Sequence, residues 1–384
     1  MDQRRVVSGG RGPRHRGNAA AVLRVVSDRD EVTRQEIARH TGLSRSTVAD
    51  LVTRLLESGD LTEATQQPGG RGRPAQLVRR ADPQGLLLGL DLGHNHVTVA
   101  LGDASAAVLQ EVTVDADLDR DPDATIDLTR DLALEVLARE GSSLSDVAAA
   151  VAGLPGPMSH AGVLSVPSML GQGQMRDPGR RLSRVLGMPV PVTTDTVLGA
   201  VGELRSGAAM GVDDVIFVKA SHGVGCALVL GGQIYRGSGG LAGEFGHTRV
   251  GDGAIRCRCG NLGCLETVAG LERVLAELPH PYTEAALTAE GVGDPVVSRV
   301  VTDAGRAVGS TLAPICNALN PALVVTGGGL GAVHAEAFGK GVREAIDRDA
   351  QPAIASALQV VPAQHGVRAE RIGALLLARR EAMR

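Results

Sequence analysis

Apolar residues recur at helical spacing near the start of the chain and at strand spacing after about position 85. Ala21, Val22, Val25 and Val26 predict a first helix over 18–28 with one inward stripe. Thr33-Arg-Gln-Glu36 has the spacing at which each end residue bonds the other's backbone N–H, so a second helix begins there and runs to about His40. Thr41-Gly42-Leu43 turns the chain. Ser44 offers a hydroxyl to the next helix's unpaired N–H groups, and Val48, Leu51, Val52 and Leu55 form that helix's buried face. Two short strands, 61–65 and 76–80, follow. Beyond Pro83-Gln84-Gly85 the pattern changes to strands at 86–92, 96–101 and 108–114, a helix at 122–139 and an apolar run at 147–154. The strand triplet recurs at 215–220, 225–230 and 233–235, which predicts two related lobes of an α/β architecture with a ligand cleft between them.

Helix, glycine-containing turn, helix is the helix-turn-helix arrangement, in which the start of the second helix enters the major groove. The candidates there are Arg45, Ser46 and Thr47, with Asp50 and Arg54 one turn further on. The strands 61–65 and 76–80 form a wing around 66–75, whose Gly70-Arg-Gly-Arg-Pro74 is similar to the core of AT-hook peptides and would aim Arg71 and Arg73 at a minor groove. Charge supports this reading. The chain's net −4 divides into a head with fifteen arginines against nine acidic residues in positions 1–80, and a remainder with 24 basic against 34 acidic residues. A basic head on an acidic body points to a double-stranded DNA operator as partner, a helical hairpin that binds protein being the alternative.

At 384 residues the chain holds two or three domains, and no apolar run approaches the roughly 18 residues of a membrane span. The basic start lacks the apolar stretch of a secretory signal, so no membrane partner and a cytoplasmic location are expected.

Three of the five cysteines fall in Cys257-Arg-Cys-Gly-Asn-Leu-Gly-Cys-Leu-Glu266. Cys257, Cys259 and Cys264 offer three thiolates and His247 an imidazole, a complete tetrahedral set for structural zinc (Zn2+) with no corner open for a catalytic water. Ordinary reduced thiols, or one disulfide with a spare thiol, are the alternative. Cys226 and Cys316 sit in apolar surroundings and read as small core residues.

Gly243-Glu-Phe-Gly-His247 followed by Cys-x-Cys-Gly-x-x-Gly-Cys-x-Glu resembles the signature of the ROK family of repressors and sugar kinases. The resemblance implies an N-terminal winged helix-turn-helix followed by a two-lobed actin-like ATPase fold. The domains would be a flexible basic arm at 1–17, the winged helix-turn-helix at 18–82, a first lobe at 83–197 to which a helix in 368–384 returns, and a second lobe at 198–367 with the zinc site. It places zinc on His247, Cys257, Cys259 and Cys264, and a sugar against Glu244, His247 and Glu266. Asp195 matches the position of the kinases' base. Thr194 stands where Asn usually precedes it, and Ser168, in Pro167-Ser-Met169, replaces an Asn that helps hold the sugar. The phosphate loops depart further. Asp-x-Gly-Gly-Thr becomes Asp91-Leu-Gly-His-Asn95 and Gly-Thr-Gly becomes Ser221-His-Gly223, so imidazoles crowd the approach that backbone amides need to cradle phosphate. Thr326-Gly-Gly-Gly329 is intact and would face an adenosine, or simply ends a strand. The expectation is a DNA-binding repressor with no catalytic residues, acting as a homodimer or higher oligomer and sensing a sugar or sugar-derived effector without phosphorylating it. A DNA-binding ROK sugar kinase is the rival.

Overall fold

The computed structural model describes residues 13–29, 31–64, 76–165, 175–250, 255–279, 282, 283, 287 and 292–384. The chain divides into two compact units, residues 1–83 with 383–384, and residues 84–382.

The first unit contains α1 (Pro13–Arg29), β1 (Glu31–Thr33), α2 (Arg34–Thr41), α3 (Arg45–Glu57), β2 (Leu61–Ala64) and β3 (Leu77–Arg80). The capping box forms as the spacing requires, with Thr33 Oγ1 accepting from Glu36 N (3.2 Å) and Glu36 Oε2 from Thr33 N (2.8 Å). Gly42 ends α2 in a left-handed conformation, and Ser44 Oγ accepts from Thr47 N to start α3. The apolar stripes of all three helices meet in one core that includes Val22, Val26, Ile37, Val48, Val52, Leu61 and Val78.

Two boundaries differ from expectation. The helix drawn from residue 18 begins at Pro13, because proline at a first helical position already has the required φ and lacks an N–H that would be unpaired there; residues 1–12 of the expected arm lie outside the described residues. The strand β1 was not foreseen. Only three residues long and running straight into the capping box, it shows no alternation, yet it pairs antiparallel with β3 in a sheet of order β1-β3-β2. The wing tip with Arg71 and Arg73 lies outside the described residues.

The second unit holds two five-stranded sheets of the same design. The first has order β6-β5-β4-β7-β8, from β4 (Leu86–Leu92), β5 (His96–Gly102), β6 (Val108–Asp115), β7 (Val147–Leu154) and β8 (Val192–Thr194). The second has order β11-β10-β9-β12-β13, from β9 (Val215–Ala220), β10 (Val224–Leu230), β11 (Gln233–Tyr235), β12 (Leu323–Gly327) and β13 (Gln359–Pro362). In each, three antiparallel strands are extended by two parallel ones. The repeat seen in the strand triplets therefore embraces all five strands.

On the first sheet pack α4 (Pro122–Arg139) and α5 (Pro178–Leu186), with Leu88, Leu90, Ile126, Leu137 and Leu182 in one core. α6 (Asp195–Ser206) comes next, then α7 (Glu266–Ala269) and α8 (Leu271–Glu277) beside the second sheet. That sheet is covered by α9 (Pro295–Leu319), α10 (Gly328–Val333), α11 (Ala335–Asp349) and α12 (Pro352–Ala357), with Val301, Leu312, Phe338 and Ile346 inside. The last helix, α13 (Ala369–Ala382), returns to the first sheet, where Ala374, Leu375 and Ala378 pack with Leu87, Val151 and Leu198 of α6. The other side of α6, through Ala200 and Leu204, belongs to the core of the second sheet with Phe217 and Val325.

The pair α6–α13 thus lies between the lobes, and it is packed backbone to backbone. A Cβ on Gly373 would stand 1.9 Å from Leu198 O, and one on Gly202 2.5 Å from Ala369 O. Gly373→Val is expected to destabilise the two-lobed unit by about 1–3 kcal/mol. Urea unfolding followed by circular dichroism measures this; a midpoint equal to that of the parent chain would contradict the close packing.

Candidate ligand cleft and metal centre

Five of the six sugar-facing positions expected from the sequence, Thr194, Asp195, Glu244, His247 and Glu266, line one cleft between the lobes. The sixth, Ser168, lies outside the described residues. Asp195 is the first residue of α6, so its carboxylate stands at the end of the helix where N–H groups are unpaired. Its Oδ1 accepts from Thr196 N (2.7 Å) and its Oδ2 from Lys219 Nζ (2.9 Å). Thr194 caps the same helix, its Oγ1 accepting from Val197 N at 3.2 Å. Its hydroxyl proton remains able to donate to a ligand.

Glu244 and Glu266 enter from the other wall. Glu266 begins α7, with Oε2 accepting from Val224 N at 3.3 Å. Burial pushes the Glu244 carboxyl up to about 7, and the carboxylates of Asp195 and Glu266 add to the rise. It can therefore donate as well as accept toward a hydroxyl near neutral pH. The glycines flanking Glu244 let its loop lie on β10: Gly243 has φ +104°, and Cβ atoms at Gly243 and Gly246 would stand 2.0 and 1.7 Å from the carbonyls of Cys226 and Val224.

Lys219 is the principal residue that sequence reasoning did not single out. It projects from β9 toward Asp195 and also lies 3.1 Å from Glu370 Oε1 on α13. Burial would lower its pKa, but Asp195, Glu370 and Asp91 together raise it, so it stays an ammonium. Asp91, at the end of β4, is buried against His96. Burial alone would raise its pKa; the His96 hydrogen bond and Lys219 hold it below the usual carboxylate range. A lone lysine in the otherwise apolar Val-Ile-Phe-Val-Lys-Ala of β9 was the available signal.

The four candidate metal ligands converge. His247, Cys257, Cys259 and Cys264 bring their donor atoms within 4.8 Å of one another. Cys259 Sγ and Cys264 Sγ are 3.7 Å apart, and His247 Nδ1 is 3.5 Å from Cys257 Sγ. A tetrahedron built on Zn–S of ~2.3 Å and Zn–N of ~2.0–2.1 Å has edges of about 3.8 and 3.6 Å. The donor set fits zinc in kind and in spacing. Among the described residues it is the one such cluster, and the five cysteines are free thiols, which removes the disulfide alternative. Cys226 and Cys316 are buried in the second lobe's core, as their surroundings suggested.

The two ring nitrogens of His247 face the two sites expected of it. Nδ1 turns to the thiols, while Nε2 faces Glu244 Oε2 at 3.7 Å. Glu266 is likewise shared, its Oε1 lying 3.7 Å from Cys257 Sγ.

The loops expected from the family resemblance to be altered phosphate loops meet at the cleft, His94 between β4 and β5 and His222 between β9 and β10, with ring centroids 5.9 Å apart. On the DNA-binding side, Arg45 and Ser46 at the start of α3 are exposed. The hydroxyls of Ser46 and Thr47 lie 3.0 and 2.8 Å from that of Ser44, and Arg54 is tied to Asp50 at 2.6 Å. Arg45 is exposed at the start of α3, where its guanidinium can reach a base edge.

With that geometry, the family assignment follows from the whole second unit: residues 87–381 match the ROK family model. The chain belongs to the ROK family. Residues 17–63 match the IclR helix-turn-helix domain. The chain is 28% identical over 334 residues to the DNA-binding transcriptional dual regulator NagC of Escherichia coli (strain K12), covering 81% of this chain and 80% of that one. A crystal structure of a ROK family transcriptional regulator, a homologue of the E. coli MLC protein, superposes with a TM-score of 0.71 at 24% identity over 96% of this chain and 97% of that one. A ROK family glucokinase from Streptomyces griseus, in complex with glucose and AMPPNP, superposes with a TM-score of 0.64 at 26% identity over 77% of this chain and 99% of that one. The chain thus combines a helix-turn-helix with the ROK actin-like kinase fold, as expected of a regulator of this family.

Replacing Cys259 by Ser is expected to lower bound zinc and to reduce the melting temperature by about 5 °C, the size of a ~2–3 kcal/mol loss. Metal analysis alongside calorimetry checks both. Metal-free protein that melts with the zinc-loaded form would remove the structural role.

Proposed function

We propose that the chain is a cytoplasmic transcriptional repressor whose ROK domain senses a sugar or sugar-derived effector without phosphorylating it. The observation that carries this reading is the contrast within one cleft: the carboxylates of Asp195, Glu244 and Glu266 are in place, whereas His94 and His222 stand in the phosphate loops. Polyol recognition needs carboxylates and an imidazole that accept and donate hydrogen bonds, and these are present. Phosphoryl transfer needs amide cradles and charge stabilisation around the transferred group, and the side chains of His94 and His222 occupy that approach.

In this reading zinc holds the loop that carries Glu266 and His247, supplying rigidity and no chemistry at the effector. His247 binds it through Nδ1 and keeps Nε2 for a hydroxyl. Asp195 accepts a second hydroxyl while Lys219 Nζ donates to its Oδ2. Effector binding shifts the chain between two states only by as much as its affinity for them differs, and the state it favours binds operator less well. A homodimer presents two α3 helices to half-sites a whole turn of DNA apart, with Arg45, Ser46 and Thr47 at base edges and Arg71 and Arg73 in an adjoining minor groove.

The rival, a DNA-binding sugar kinase, draws on Asp195 itself, which keeps the position of the base, and on the likeness to the glucokinase.

Two measurements test the proposal. Asp195→Asn is expected to weaken binding of the effector that releases the wild-type protein from operator by about 30-fold, the value of one charge-assisted hydrogen bond of ~2 kcal/mol, as read on variant protein whose circular dichroism matches the wild type. Release of the variant at wild-type effector concentrations would refute the assignment of the cleft. Arg45→Ala is expected to relax base preference at one position of each half-site, losing about 1–3 kcal/mol of discrimination, as read by competition binding with single-base operator variants. Unchanged preference at every position would reject α3 as the reading helix.

A further inference from the structure

Beside the cleft, four side chains from both lobes meet. His94 Nδ1 donates to Asp119 Oδ1 at 2.8 Å, and both belong to the first lobe. Arg258 Nη1, from the second lobe, donates to Asp119 Oδ2 at 2.8 Å. The same guanidinium nitrogen lies 3.1 Å from His94 Nδ1, and a ring nitrogen that donates to Asp119 cannot also accept from Arg258, so the link between lobes is Arg258 to Asp119. His222, also from the second lobe, stacks obliquely on His94 with rings inclined by 51°.

Each half is held in shape by its own backbone. Leu118 N donates to His94 O (3.1 Å) and Ala116 N to Asn95 O (3.1 Å), which straps the Asp119 loop to the His94 loop. Arg258 sits between two of the metal ligands, where Cys257 N donates to Asn261 O (2.8 Å) and Gly260 N to Cys257 O (2.9 Å). Asp119 and Arg258 are each more than a third exposed, 36% and 37%, so the pair is screened by water and makes a weak, reversible link.

We propose that Asp119, Arg258, His94 and His222 form an interlobe clasp that draws the cleft shut from the protein's own side chains, in the place where the phosphates of a nucleotide would otherwise bridge the lobes. The residues that obstruct the phosphate loops then have a positive role: closure needs no nucleotide, and it is carried on the second lobe by the zinc loop. The proposal rests on the sensor reading, since closure matters to function only for a cleft that takes an effector. The clasp itself is tested without one, so that its failure leaves the sensor reading standing.

Backbone hydrogen exchange is followed in full-length, zinc-loaded protein with no sugar added. Asp119→Asn keeps the shape of the side chain and removes its charge, and Asp119→Glu keeps the charge. In the Asn variant, exchange is expected to rise about threefold in the second lobe's 221–223 and 257–263 loops, although the substitution lies in the first lobe; the Glu variant stays near wild type. Salt at 1 M is expected to speed exchange in the wild type toward the Asn variant and to leave that variant unchanged. Exchange that rises only in the first lobe, or in the Asn and Glu variants alike, or that ignores salt in the wild type, overturns the clasp.

Discussion

The two-lobed unit depends on one buried cation. Lys219 leaves β9 of the second sheet and reaches Asp195, the first residue of α6, and Glu370, the second residue of α13, while the field of Asp91 on β4 acts on it from the first sheet. An ammonium taken out of water at this depth stays charged only where carboxylates surround it, and removing one partner leaves a buried charge uncompensated. The two helices that separate the lobes and both central strands are therefore tied to a single charge balance. Asp195 belongs to that balance and to the cleft at once, so a ligand that draws on its carboxylate acts on the junction of the lobes.

The other wall of the cleft is organised by the metal centre in a similar way. His247 and Glu266 each point one atom at the thiol cluster and another into the cleft, while Arg258 is carried outward between Cys257 and Cys259. A zinc ion held by the four candidate ligands would fix these side chains, and under the proposed reading its effect on ligand recognition would pass through position alone.

What the sequence disclosed follows from how local each signal is. The capping box at Thr33 and Glu36, the cap at Ser44, the helix at Pro122–Arg139 and the run Val147–Leu154 are set by short-range spacing and appear with the bounds read from the chain. The His/Cys cluster was legible because three of its four members lie within eight residues. Lys219 was not, because its partners come from three separate segments and no spacing joins them. The contact of Arg258 with Asp119 spans 139 positions, so the clasp emerges only in the folded chain. β1 escaped because three residues are too few to alternate, and Pro13 because the glycines and arginines around it suggested an unstructured arm. The family resemblance gave the site residues their roles, and the structure brings five of its six sugar-facing positions into one cleft.

The central claim is that this cleft binds its effector and transfers no phosphoryl group to it. The most direct test incubates purified, zinc-loaded, full-length protein with magnesium and γ-labelled ATP against a panel of aldoses and N-acetylhexosamines, with binding of each sugar measured by calorimetry in parallel. The account predicts that at least one sugar binds and that no label reaches any of them. Label transferred to a sugar by the wild-type chain, and lost in Asp195→Asn, would contradict it and establish a kinase.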